Sequence, residues 1–319
     1  MKKYLLPGVA AGLGVVTAAV TGAVYAVAFH APNRTQNNDY SVVKTEKIAP
    51  IYDHILSLID DLNRVPYEPV YITSHDGCRL RGRLYDAPEG APIAICVHGW
   101  RGTPMRDFSG GAMMLIKNGW RVLLIEQRSQ GRSEGHCITF GAKERLDVRR
   151  WAQWAAQEYG SESRIMLFGI SMGAASVLLA SALDLPEQVR AVVADCPFSS
   201  GRDILIRTAA QSGVPKPLCG VLADLTARLW GWFDLKETDV REAVKHTRVP
   251  VLLIHGEDDD FVPPEMSEEI RLCNPTRMER HTFPGASHGI SFVIGPERYE
   301  KLVTAFSARV MGNDQTAPL

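Results

Sequence analysis

In Gly169-Ile170-Ser171-Met172-Gly173 a serine stands between an apolar run, Arg164 to Phe168, and an apolar stretch, Gly173 to Leu183. Read as strand, turn and helix, this is a nucleophile elbow. Gly169 and Gly173 let neighbouring backbone close in, and the tight turn holds Ser171 strained with its hydroxyl above the sheet. The helix N-terminus beneath it offers free N–H groups and a positive dipole to a developing oxyanion. A serine that merely caps the helix is the plainer alternative.

A serine hydroxyl is a weak nucleophile until a base takes its proton. Of nine histidines, His288 is best placed, on Pro284-Gly285-Ala286-Ser287-His288-Gly289 after the last apolar strand. His98 and His255 each precede a glycine at a strand end, which suits hydrogen bonds to loop backbone. The base needs a carboxylate to fix its tautomer. His255-Gly256-Glu257-Asp258-Asp259-Asp260-Phe261-Val262-Pro263 supplies four acids in a row. Charge alone does not choose among them, and a solvated turn or a cation site would use the same run.

The elements that must position these groups alternate. Ile93 to Val97, Val122 to Ile125, Arg164 to Phe168, Ala191 to Ala194, Val251 to Ile254 and Arg280 to Phe283 read as strands. Helical patterns fall between and after them, ending with residues 296–311. Short all-apolar strands between helices imply a parallel sheet covered on both faces, an α/β fold. Val70-Tyr71-Ile72 and Leu80 to Tyr85 flank the turn signal His75-Asp76-Gly77 and predict a hairpin. Residues 201–249 carry helical patterns without a strand, as a lid over the carboxyl edge or as ordinary covering helices.

The balance of the 319 residues is ordinary: 45% hydrophobic, 22% charged, with 35 basic against 36 acidic side chains. That excludes wholesale disorder and a polytopic membrane protein, and a net charge of −1 gives no overall claim on nucleic acid. Six cysteines are too sparse for a disulfide scaffold. No zinc-ligand spacing, P-loop or dinucleotide fingerprint is present, so neither metal nor cofactor is expected.

The order Ser171, Asp, His288 resembles the α/β-hydrolase superfamily over about residues 67–310, most of all its bacterial, membrane-anchored serine hydrolases grouped as Bem46-like or dienelactone-hydrolase-like. In that branch the acid loop reads H-G-x-x-D-x-x-V-P. His255-Gly256 and Val262-Pro263 then select Asp259, with Asp258 and Asp260 as fallbacks. His98-Gly99-Trp100 is similar to the oxyanion loop, which implies backbone N–H donors at Trp100 and Met172. Gln127 to Gly135 resembles the R-x-x-G-x-S-x-G loop, and Asp195-Cys196-Pro197-Phe198-Ser199-Ser200 the strand end before the lid. Glu126 departs from the family's usual Asp, outside the triad. The resemblance implies a serine hydrolase cleaving apolar or lipid-like carboxylic esters, with Phe198, Trp230, Trp232 and Phe233 in the pocket or lid. An amide or peptide hydrolase and an acyltransferase share the triad. A catalytically silent binding protein shares only the fold.

The N-terminus reads differently. Leu5 to Phe29 is 25 residues without a charge, preceded by Lys2 and Lys3. As a helix it would be roughly 37 Å long, enough to span a bilayer core. A signal anchor is expected, single-pass, with the catalytic domain outside the cytoplasm. A signal peptide cut after Ala26-Val27-Ala28 is the alternative. The expected organisation is an anchor over 1–34, a linker and helix over 35–66, the hydrolase domain over 67–311 with a lid at 201–249, and a tail at 312–319. The oligomeric state is not legible.

Overall fold

The computed structural model describes residues 14–31, 42 and 44–312. One sheet of eight strands has the order β1-β2-β4-β3-β5-β6-β7-β8. β1 (Glu68–Thr73) and β2 (Arg79–Tyr85) form the predicted hairpin, and β2 lies antiparallel to β4 (Arg121–Glu126). From β4 through β3 (Ile93–Val97), β5 (Ile165–Ile170), β6 (Val189–Asp195), β7 (Val251–Gly256) and β8 (Met278–Phe283), every pairing is parallel.

The apolar strands follow from burial on both faces. Ile93, Ile95 and Val97 of β3 belong to one core, while Ala94 and Cys96 belong to the other. The first core is closed by α4 (Glu144–Tyr159), α5 (Met172–Ala180), α8 (Val240–Val244) and α9 (Glu265–Cys273). The second is closed by α2 (Tyr52–Asn63), α3 (Pro104–Lys117) and α11 (Pro296–Met311). Every residue of α5 is buried, since it sits under the sheet's centre. All six cysteines are free.

Between β6 and β7 the chain forms a helical cap. It comprises α6 (Gly201–Gln211), α7 (Lys216–Thr226), a π-helical turn (Ala227–Gly231), a short 3-10 turn (Leu235–Thr238) and α8. Among its described residues the only β pairing is a single bridge between Ser200 and Asp239.

The N-terminal expectation needs correction. Among the described residues no helix is long and apolar enough to cross a membrane. Residues 14–24 form helix α1, continued by a π-helical turn (Tyr25–Phe29), and this segment packs on the cap and the sheet's rim. Phe29 is fully buried, its ring 5.6 Å from that of Phe140 and 5.8 Å from that of Phe233. The Trp230 indole N–H donates to Thr21 Oγ1 at 3.0 Å. An apolar run finds partners as well in a protein core as in lipid, and part of this one does. The start of the expected spanning segment (residues 5–13), most of the linker's first part (32–41 and 43) and the tail beyond Gly312 lie outside the described residues.

Candidate active site

The site is assembled from four strand ends. Ser171 follows β5 directly and enters α5 with φ 56° and ψ −119°, a conformation that costs of order 1–3 kcal/mol for a side-chain-bearing residue. The turn survives because nothing larger than hydrogen fits beside it. A Cβ on Gly173 would run into the Val97 carbonyl of β3, and one on Gly169 into the backbone of Gly173. β3, β5 and α5 are thus pressed together, and the serine is lifted over the sheet's edge.

His288 lies on the loop after β8. Its Nε2 is 2.8 Å from Ser171 Oγ and its Nδ1 is 2.7 Å from Asp259 Oδ2. With Nδ1 carrying the proton, the ring donates to the carboxylate and accepts from the serine hydroxyl. Asp259 sits on the loop after β7. Its Oδ1 accepts from the Phe261 N–H at 3.1 Å and the Val262 N–H at 2.8 Å. Burial pushes its carboxyl up, but hydrogen bonds from His255, His288 and the Val262 amide outweigh that and bring it down to about 2. It is therefore a carboxylate at any working pH. Asp258 and Asp260 are exposed. The Asp258 carbonyl and Asp260 Oδ2 both take hydrogen bonds from Lys47.

His98 and His255 hold loop backbone, as their positions suggested. His255 Nε2 lies 3.0 Å from the Val262 carbonyl and 3.3 Å from Asp259 Oδ2, which ties the acid loop to its strand. His98 accepts the Gln127 N–H at 3.1 Å on Nε2 and reaches the Gly99 carbonyl at 2.9 Å through Nδ1. Burial pushes its pKa down, so it stays neutral in that role.

The loop after β3 passes against the nucleophile. A Cβ built on Gly99 would stand 3.3 Å from Ser171 Cβ. Met172 opens α5, and a first-turn N–H has no acceptor inside its helix. Asp107, which the sequence reasoning missed, fastens this loop. Its Oδ2 accepts the Gly99 N–H at 2.7 Å while Oδ1 holds Arg106 Nε at 2.7 Å. Burial alone would raise this carboxyl, but Arg106, His98 and the Gly99 amide hold it below its usual range. An acid in the first turn of the helix after the oxyanion loop was its sequence signal.

An apolar cavity of about 130 Å³ opens beside Ser171, lined by Trp100, Met172, Phe198, Phe140, Phe261 and α6 side chains, with Val27 and Ala28 completing it. Phe198, expected in the pocket or lid, is part of this lining. Trp230, Trp232 and Phe233, expected in the pocket or lid, belong to the cap and are not in this lining. Phe233 is buried against Phe29, Trp230 packs on Thr21 and Tyr25, and Trp232 is 82% exposed. Ile204, Leu205 and Thr208 of α6 supply the cap's share instead. Phe261 also meets the His288 ring edge-on, with centroids 5.1 Å apart.

The buried Cys196 thiol lies within 4.8 Å of the facing atoms of Asp259 and His288. Desolvation pushes it far above its ordinary pKa, so it is a buried thiol rather than a thiolate nucleophile. The Gln127 to Gly135 loop is structural. Buried Arg128 grips Asp147 at 2.6 Å and Asp76 at 2.9 Å, and Glu126 pairs with buried Arg81.

With this geometry in view, the model of the "Alpha/beta hydrolase family" matches residues 94–304. The chain belongs to that family. Within it the chain falls in the Bem46-like branch. It is 24% identical over 286 residues to YqkD of Bacillus subtilis (strain 168), covering 88% of this chain and 90% of that one. It is 22% identical over 227 residues to the protein bem46 of Schizosaccharomyces pombe, covering 70% and 71%. Among solved structures it is similar to the Pyrococcus furiosus esterase Pf2001, with a TM-score of 0.62 and 26% identity over 79% of this chain and 96% of that one. An α/β-hydrolase with a small-molecule substrate is the reading these relatives support.

Proposed function

We propose that this protein is a serine hydrolase that cleaves carboxylic esters of apolar acyl groups through an acyl-enzyme. The observation that carries this reading is the unbroken chain from Ser171 Oγ through the His288 ring to Asp259, at 2.8 Å and 2.7 Å.

Each step uses groups already described. Ser171 Oγ attacks the ester carbonyl carbon, and its proton passes to His288 Nε2. The oxyanion is stabilised by the backbone N–H groups of Trp100 and Met172. Asp259 holds the ring in the productive tautomer and offsets its new positive charge. The C–O bond to the leaving alcohol breaks as His288 returns its proton to that oxygen. Water then adds to the acyl-enzyme, gives a proton to His288, and the second collapse restores the Ser171 hydroxyl and frees the acid.

The cavity sets the acyl group. About 130 Å³ with apolar walls is close to the room that accepts a benzene-sized guest in an engineered protein cavity of known behaviour. Short acyl chains of roughly four to six carbons fit, and longer ones must leave by the mouth. The test is a panel of soluble esters of increasing acyl length, with matched amides, run on the full chain and on Ser171→Ala. Ester hydrolysis peaking at short acyl groups and lost in Ser171→Ala is the expected result. Amide turnover exceeding ester turnover, or full activity in Ser171→Ala, would overturn the assignment.

A further inference from the structure

Residues 25–31 run along the cavity as a strap that is tied down from either side. Its main chain pairs with the loop after β4. The Ile138 N–H donates to the Phe29 carbonyl at 2.8 Å, and the Ala31 N–H to the His136 carbonyl at 3.1 Å. The loop after β3 holds the strap by side chains. The Trp100 indole N–H donates to the Ala28 carbonyl at 3.2 Å, and the Arg101 guanidinium to the Val27 and His30 carbonyls at 2.8 Å and 3.0 Å. The guanidinium also lies over the Trp100 ring, 4.5 Å from its centroid.

A helix end explains this clamp. The last carbonyls of a helix lack partners within it and form the negative end of its dipole. The π-helical turn stops at Phe29, so the carbonyls of Val27 and Ala28 need donors from outside the helix. An indole N–H and a guanidinium supply them. Both donors belong to the loop whose Trp100 backbone N–H serves the oxyanion in the proposed reaction.

The side chains of the clamped residues reach the cavity. Of its lining, Met172, Phe198 and Ile204 are buried, while Val27, Thr208 and Phe261 are exposed. The buried residues make the floor and the exposed ones the mouth. Ala28, half-buried, stands between them. An acyl chain that has filled the floor lengthens only past this mouth. A wall selects by size only if its backbone holds still, and the clamp fixes the backbone from which Val27 and Ala28 project.

We infer that Val27 and Ala28 set the upper limit of acyl length, and that Arg101 is the positioning residue that holds them in place. The acyl group as substrate rests on the catalytic reading above, whereas the wall itself does not.

The test measures kcat/KM of the full chain for water-soluble octanoyl and butanoyl esters and takes their ratio. Val27→Ala is expected to raise the octanoyl-to-butanoyl ratio about tenfold and Ala28→Leu to lower it about as much, the worth of roughly two methylenes of apolar contact. Arg101→Met keeps an unbranched chain over Trp100 but removes the donors. It is expected to raise the ratio, with Arg101→Lys returning it part-way because an ammonium still donates to a carbonyl. A ratio equal to the wild-type one in both wall variants, or in Arg101→Met, would overturn the inference even if Tm changed. The relative affinity for octanol and butanol, measured by calorimetry, repeats the comparison without any chemistry. If the wild type hydrolyses neither ester, the catalytic reading fails and the alcohols decide on the wall: ratios moved by the variants uphold it, and unmoved ratios overturn it.

Discussion

Asp259 and Asp195 stand within one site yet carry opposite electrostatic histories. Asp259 is hydrogen-bonded by histidine and two amides and is held ionised. Asp259→Asn should keep the fold and lower kcat by about 10⁴, because the wrong His288 tautomer would face Ser171; steady-state kinetics beside circular dichroism checks both halves. Asp195, fully buried at the end of β6, accepts from Ser291 Oγ at 3.0 Å, and desolvation pushes it up to about 6 from 3.8. Between those values the unfolded chain has released a proton that the folded chain keeps, so stability falls as pH rises through the window. Asp195→Asn should therefore raise Tm at about pH 8, with the gain fading below about pH 4. A gain that did not vary with pH would contradict this origin. Asp107→Ala should lower kcat by about 10–10² with KM little changed, since it loosens the Gly99 loop and not the cavity. The nucleophile and base were legible because each follows an apolar strand in a glycine-flanked turn. Asp107 was not, because its partner is a backbone amide eight residues upstream in a loop of no fixed pattern.

At the scale of elements, Gly173 decides whether the elbow exists. A methyl group there meets the β3 carbonyl, and neither strand nor α5 has room to yield. Gly173→Ala should destabilise by more than about 4 kcal/mol or give insoluble protein. A folded variant with unchanged Tm would refute the packing argument. The strands were readable because two-sided burial demands unbroken apolar runs, and the hairpin because His75-Asp76-Gly77 marks its turn. The cap was readable as helical, but not its facing. Trp230, Trp232 and Phe233 sit close together in sequence, and the π-helical turn and the left-handed Trp232 send them three ways. Helical periodicity cannot foresee a residue inserted into the turn, so the cavity wall fell to α6 instead.

For the whole molecule, the N-terminal segment was the hardest to read. A charge-free run satisfies a bilayer and a protein core equally, and composition does not tell them apart. Phe29 decides for the described part. Its ring fills a site between Phe140 and Phe233, and Phe29→Ala should cost about 3–5 kcal/mol. It should also widen acyl selectivity, because Val27 and Ala28 close the cavity and the Ala28 carbonyl is held by the Trp100 indole at 3.2 Å. Chemical denaturation and the acyl-length profile measure the two effects. Segment, cap and sheet thus act as one body around Ser171. The most direct measurement of the chemistry is reaction of the folded full chain with a fluorophosphonate, followed by peptide mass spectrometry. One adduct per chain on Ser171, with none on Ser171→Ala and slowed labelling in Asp259→Asn, is the expected result. Folded protein that stays unlabelled, or carries its adduct elsewhere, would contradict a nucleophile at this position.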